Sequence, residues 1–318
     1  MTAQDPAAGE PDAPVRIAPG PIIAYVLLAC GLAWLLALPL WLGDGLAAPF
    51  AGLLLPVIMY TPAAAVVIVM LVMRPVPRGQ RLRFLGMWPL RPASRVIWMS
   101  VISLFGTVAV VVLAMLIAIA FGWMTPDFVN LSGFAETVQA GLPAGVALPS
   151  PWILVAAQMA SLPIAAATIN ALAAFGEELG WRGFLVPALR RYGTWTALLV
   201  SGAIWGLWHA PIILLGYDFG RTDILGVLLM VGGCIAVGVL FGWTRLRTGS
   251  MWPAVFAHGA LNAAAGLPIV FRAAGAPFDP ALSIVLGVSG WIACAIVVVV
   301  LLLTGQFRKQ PALAAAKA

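Results

Sequence analysis

Apolar runs of about 20 residues, long enough to cross a bilayer, recur along this chain with only short polar segments between them. That pattern leaves few architectures open. With 63% hydrophobic and 9% charged residues, the 318-residue chain holds more apolar surface than a soluble domain of its size can hide. Its runs place about eight membrane helices, near 21–43, 48–73, 96–123, 152–189, 194–216, 223–243, 250–271 and 281–304. The expected fold is an all-α, polytopic transmembrane helix bundle. The fourth helix is long enough for its last two turns to emerge into the interface.

A net charge of +6 invites a nucleic-acid partner, but the positions of the charges argue against one. If the N-terminus is cytoplasmic, the inner segments hold Arg16, Arg74, Arg78, Arg81, Arg83, Arg91, Arg95, Arg190, Arg191, Arg245, Arg247, Arg308, Lys309 and Lys317, with Arg182 near that side. Only Arg221 and Arg272 fall outside, so the 17 basic residues divide fifteen to two. Such a bias is the positive-inside signature and predicts that both termini are cytoplasmic. The lipid bilayer, with its anionic headgroups, is the natural partner of this charge; no nucleic acid is expected.

Residues 1–20 are rich in Pro, Ala and acid and read as a disordered tail. They lack a basic n-region, and the apolar run that follows is too long for a signal peptide, so a retained first helix is expected. A single transmembrane domain over 21–304 follows, with its chemistry in a core of about 150–270, and then a cytoplasmic tail at 305–318. The Arg- and Pro-rich segment 74–95 is an inner loop, and 124–151, without Lys or Arg, an outer one. Cys30, Cys234 and Cys294 lie in separate spans without ligand-like spacing and read as small buried side chains.

Ionisable groups are costly in a membrane and mark functional sites by default. Here they gather in three motifs. The first is Glu177-Glu178-Leu-Gly-Trp-Arg182. Glu178 and Arg182 are four apart and share a helix face, so they pair; Glu177 lies about 100° round the helix and faces elsewhere. A structural ion pair is the bland alternative. The second carboxylate makes it less comfortable, because two carboxylates and one guanidinium leave a net negative charge needing a proton, a wet cavity or a cation.

In the second motif, Trp205 and His209 lie one turn apart, and Pro211 invites a kink beside the histidine. The third places His258 and Asn262 on one side of an otherwise apolar helix. Interhelical hydrogen bonding is the bland reading of each. Counted from the inner helix ends at 1.5 Å per residue, His258 lies about 12–14 Å deep, Glu177 about 18 Å and His209 about 22 Å. Those depths allow one mid-bilayer site, reached from the cytoplasm.

The ordered set Glu-Glu-x-x-x-Arg, aromatic-x-x-x-His and His-x-x-x-Asn, within EELGWRGFLVPALRR, GAIWGLWHAPI and RTGSMWPAVFAHGALNA, resembles the CPBP family of intramembrane proteases. That family includes type II CAAX prenyl endopeptidases and the bacterial Abi and bacteriocin-processing proteins. The resemblance covers about 110 residues between 170 and 270 and implies polar side chains converging on a cavity. It implies that Glu177 and His209 activate a water, that His258 and Asn262 stabilise an oxyanion, and that Glu178 and Arg182 fill the other charged positions. Trp205 stands where the second motif commonly has Phe. The resemblance also implies a multi-pass protein of a bacterial cytoplasmic membrane.

Peptide hydrolysis needs a base, a positioned water and donors aimed at the oxyanion, and these residue types supply all three. No serine adjoins either histidine motif closely, Ser201 being one alternative nucleophile. Glu177, His209 and His258 would supply three ligands to a catalytic Zn2+. The chain has no HExxH, and a metal-independent route with glutamate as general base is equally compatible.

The expected function is therefore an intramembrane endopeptidase acting on a membrane-associated peptide or protein, prenylated or not. One competing reading is a non-catalytic immunity protein that binds a bacteriocin-like peptide. Another is a proton-coupled transporter, weakened by the missing internal repeat. The natural substrate, the oligomeric state and the pathway are not legible in the sequence.

Overall fold

A computed structural model describes residues 15–143 and 149–308. Among these residues there is no β-sheet, only an isolated bridge between Pro126 and Arg272. The expected all-α bundle is what forms. Among the described residues, seven helical spans are long and apolar enough to cross a membrane, and a shorter apolar helix, Thr194–Trp208, stands at the position of the expected fifth. This is a multi-pass membrane protein.

The helices that position the site are α1 (Pro19–Trp41), α2 (Ala51–Ile58), α3 (Thr61–Val72), α4 (Ala93–Ala120), α5 (Pro151–Ala167), α6 (Ile169–Glu178), α7 (Thr194–Trp208), α8 (Ile224–Thr248), α9 (Trp252–Ala264) and α10 (Val288–Leu303). Pro19 and Gly20 already belong to α1, two residues earlier than the sequence suggests. Most of the expected tails, 1–14 and 309–318 with Lys309 and Lys317, lie outside the described residues, as does 144–148 of the outer loop.

The expected fourth helix is broken. It bends at Thr168, where φ is −118° and ψ −93°. Two nearby side chains satisfy carbonyls that the break orphans: Thr168 Oγ1 donates to the Ile164 carbonyl at 2.6 Å, and Asn170 Nδ2 to that of Ala165 at 3.2 Å. After α6 the chain widens into a π-helical stretch, Leu179–Leu185, of the kind often found at functional sites. The expected fifth helix stops at Trp208 and resumes as the short turn Ala210–Ile213, because Pro211 has no N–H to continue the ladder.

Small residues set the closest approaches. A Cβ on Gly202 would lie 2.7 Å from Ile235 Cα, and one on Gly206 would meet Val231 Cα, so α7 rests backbone to backbone on α8. This is the small-xxx-small packing that membrane helices use where lipid removes the hydrophobic drive for association. α9 lies inside the bundle against α4, α5 and α6, and α8 contacts α10.

The Arg-rich segment after α3 is tied down more closely than its loop character suggests. Arg245, expected among the inner surface charges, is 1% exposed. Its Nε donates to the Arg182 carbonyl at 3.0 Å and its Nη2 to that of Phe84 at 2.7 Å. A guanidinium presents five donors, so one side chain can bridge the loop to the motif helix. Ser250 Oγ donates to the Gly86 carbonyl at 3.0 Å and Trp252 Nε1 to that of Met87 at 3.1 Å, fixing the same loop to the start of α9.

Candidate active site

The first motif straddles the junction of α6 and the π-helical stretch. Gly176 and Gly180 face the break between α2 and α3. A Cβ on Gly176 would come within 2.7 Å of the Met59 carbonyl oxygen, and one on Gly180 would collide with Tyr25 Oη and Pro62. This close contact turns the intervening Glu177 and Glu178 into the interior, where they are 2% and 0% exposed.

The two carboxylates have different partners, as their angular separation predicts. Glu178 Oε1 accepts from Arg182 Nη1 at 2.7 Å and is 2.8 Å from His258 Nδ1. Glu177 Oε2 accepts from Trp205 Nε1 at 2.5 Å and from Trp181 Nε1 at 3.3 Å. The Arg182 guanidinium stacks 4.3 Å from the centre of the Trp205 ring, with Phe241 on its other flank at 5.1 Å. Removing a buried charge from such a network leaves its partner uncompensated, so every member constrains the rest.

His209 Nδ1 lies 2.9 Å from the Trp205 carbonyl oxygen. A carbonyl only accepts, so Nδ1 carries the proton, and in the neutral ring Nε2 is the basic nitrogen. The His209 ring meets that of Trp208 edge-on at 4.6 Å, and Cys234 Sγ is 3.9 Å from its Nδ1. The Trp205 indole is the hub: His258 lies 5.3 Å from it and His209 6.0 Å, centroid to centroid, while its N–H holds Glu177. Glu177, Glu178, Arg182, Trp205, His209 and His258 thus come together. Asn262, one turn beyond His258 on α9, is exposed at the edge of this group and has no hydrogen bond to it.

Among the described residues, no group of three or more His, Cys, Asp and Glu side chains is arranged to hold a metal ion. Glu177 Oε2, His209 Nδ1 and His258 Nδ1 are engaged by the indoles, a carbonyl and Glu178 respectively, so Glu177 Oε1, His209 Nε2 and His258 Nε2 are the atoms a zinc ion would take.

Sequence reasoning left the first three helices without a part in the site, yet two residues from them reach it. Thr61 Oγ1 accepts from Trp208 Nε1 at 2.9 Å and thereby fixes the indole beside His209. Tyr25 is fully buried, with its ring edge-on to Trp181 at 5.8 Å. Its hydroxyl, Glu178 Oε2 and Arg182 Nε are buried without a protein partner, the usual mark of ordered water. Tyr25 was findable as a polar residue inside an apolar run; Thr61 was masked by the proline-rich break it sits in.

A helical membrane bundle that gathers two glutamates, an arginine and two histidines about one buried indole is a membrane protein with a polar site in its interior. Its family relations lie in the same stretch of chain. Residues 159–264 match the family described as Type II CAAX prenyl endopeptidase Rce1-like. CAAX prenyl protease 2 of Methanococcus maripaludis is 27% identical over 144 residues, which is 44% of this chain and 45% of that protein. Over the motif-bearing core the chain is therefore similar to the CPBP, or CAAX protease, family, in the stretch that holds its three motifs. The match spans under half the length of that curated relative. No solved structure matches the chain.

Proposed function

We propose that this protein is an intramembrane endopeptidase that hydrolyses a peptide bond in a membrane-associated peptide or protein, with a water activated by Glu177 and His209. The observation that carries the proposal is the buried pairing of two adjacent carboxylates with different partners, one held by Arg182 and His258 and the other by two indole N–H groups. The first is committed to architecture. The second keeps Oε1 for a water.

In the proposed reaction, Glu177 Oε1 takes a proton as the water oxygen bonds to the scissile carbonyl carbon. His209 Nε2 holds the second hydrogen of that water. The carbonyl electrons move onto oxygen, and the oxyanion needs donors aimed at it. His258 supplies one. With a proton on each ring nitrogen, its Nδ1 stays on Glu178 and its Nε2 becomes a donor. Glu177, Glu178, Arg182 and His258 then sum to zero charge, which answers the surplus negative charge of the first motif. Asn262, on the exposed side of the same helix, presents its amide to the substrate. The oxyanion electrons re-form the carbonyl and the C–N bond breaks as Glu177 returns its proton to the leaving nitrogen; the second water proton passes by way of His209 to the amine, giving a carboxylate and an ammonium group.

The proposal follows the glutamate route, and no step here passes through a metal. Metal analysis of purified, active protein distinguishes it from the Zn2+ route: turnover at a metal content far below one per chain supports the glutamate base. Glu177→Gln and His209→Ala are expected to abolish cleavage of reconstituted membrane peptides, read by mass spectrometry, while membrane insertion persists. Turnover by both variants at the wild-type rate would refute the proposal. An inactive Glu177 variant that still protects cells from a peptide toxin would favour the binding-only immunity reading. The family resemblance supports a prenylated substrate and a bacterial cytoplasmic membrane, and the bias of basic residues supports cytoplasmic termini.

A further inference from the structure

A groove enclosing about 410 Å3 opens on the flank of the bundle away from the histidines, within the ~300–1,000 Å3 range of small-molecule sites. Val96, Ser100 and Leu104 of α4 form one wall, Trp252 and Phe256 of α9 the other, and Ala167 closes its inner end. It exists because α5 stops at Ala167, a small side chain beside the Thr168 break. The two polar side chains on its walls are already satisfied. Ser100 Oγ donates to the Val96 carbonyl at 2.8 Å, and Trp252 Nε1 points out to Met87 at 3.1 Å. Whatever fills the groove meets hydrocarbon only.

The groove also has a direction. Val96 to Leu104 spans about 12 Å of helix at 1.5 Å per residue, close to the ~15 Å of hydrocarbon in one leaflet of a 30 Å core. At its mouth, on the basic end of the helices, Arg91 and Arg95 are exposed and make no ion pair with described residues. Trp88 and Trp98, three residues before Arg91 and three after Arg95, are exposed, 62% and 66%, as residues of an interfacial aromatic belt are. An apolar slot one leaflet deep under two unpaired guanidinium groups is complementary to a single class of molecule.

We infer that this groove is a binding site for an anionic phospholipid, with one acyl chain between α4 and α9 and the headgroup phosphate on Arg91 and Arg95. The site is independent of the proposed peptidase activity. Each arginine near an anionic surface is worth roughly a fivefold gain in affinity. The pair therefore predicts about a 25-fold preference for an anionic over a zwitterionic headgroup of the same chain length.

The test is native mass spectrometry of the full chain released from nanodiscs holding equal phosphatidylglycerol and phosphatidylcholine with identical acyl chains. The wild type is expected to retain one phosphatidylglycerol in strong preference. Arg91→Gln with Arg95→Gln lies on the surface and leaves the core untouched; it is expected to bring the preference to near unity with a lipid still bound. Ala167→Phe, at an exposed position facing the groove, is expected to lose the retained lipid whatever its headgroup. Equal retention of both lipids by the wild type overturns the inference. So does an unchanged preference in the double arginine variant, or a lipid-free dimer showing that a second copy of the chain covers the groove.

Discussion

Arg182→Met removes a buried guanidinium but keeps most of its stem between Trp205 and Phe241, so the packing loss is small and the electrostatic loss dominates. Glu178 then stays in the interior with His258 as its remaining donor at 2.8 Å. Breaking a buried pair by deleting one partner costs about 3–5 kcal/mol. The retained imidazole bond puts this variant at the lower end, about 3 kcal/mol, or more than a hundredfold in the folded-to-unfolded ratio. Adding Glu178→Gln removes the stranded charge while its amide oxygen still accepts from His258. The double variant is therefore expected to regain most of the loss, with a coupling of about 2 kcal/mol or more between the two sites. The assay is unfolding in mixed detergent micelles titrated with SDS, followed by tryptophan fluorescence, for the wild type, both single variants and the double. A loss below ~0.5 kcal/mol for Arg182→Met, or strictly additive losses in the double variant, would refute the reasoning.

Other outcomes follow from single contacts. Trp205→Phe keeps the aromatic wall but deletes the stronger of the two bonds to Glu177. A hydrogen bond to a charged group is worth about 1.5–3 kcal/mol, so kcat should fall roughly 10- to 100-fold with KM little changed, as steady-state kinetics on a cleaved peptide would record. Gly206→Ala drives a methyl into the backbone of Val231 and should cost about 1–3 kcal/mol in the same SDS titration, whereas Gly79→Ala, with open space around it, should cost little. In the loop after α4, the Ser132 hydroxyl and the backbone N–H of Asn130 hold the Asp127 carboxyl down to about 2. Its unfolded value is about 3.9, so the contribution is complete above that value and disappears as pH falls through the folded one. The protection of the Asn130 and Ser132 amides relative to intrinsic exchange at each pH should hold at about pH 4 and fall as the pH drops towards the folded value in the wild type, but be low throughout in Asp127→Ala.

Much of the site was legible because helical geometry is local. A spacing of four set the Glu178–Arg182 pair, and the separation between adjacent residues gave Glu177 different partners. Pro211 announced the break beside His209. The break at Thr168 was not announced. An apolar window reads the same through it, and its satisfaction by Thr168 and Asn170 depends on two ordinary polar side chains. Arg245 was misplaced for a related reason: a basic residue near a helix end reads as solvent-facing until the carbonyls of Phe84 and Arg182 are brought beside it.

By itself the sequence determined that this chain must be a membrane-crossing helical bundle, because so many apolar side chains have no other stable destination. It also marked the ionisable groups of the three motifs as the ones that remain inside, though it missed Arg245. The tertiary structure decided their partners: that His258 turns to Glu178, that Trp205 rather than a histidine holds Glu177, that Thr61 and Tyr25 join them, and that Asn262 stays at the rim. Those choices depend on how closely helices approach and how far each is rotated. Glycine contacts between residues distant in the chain set both, and no periodicity within one segment encodes them.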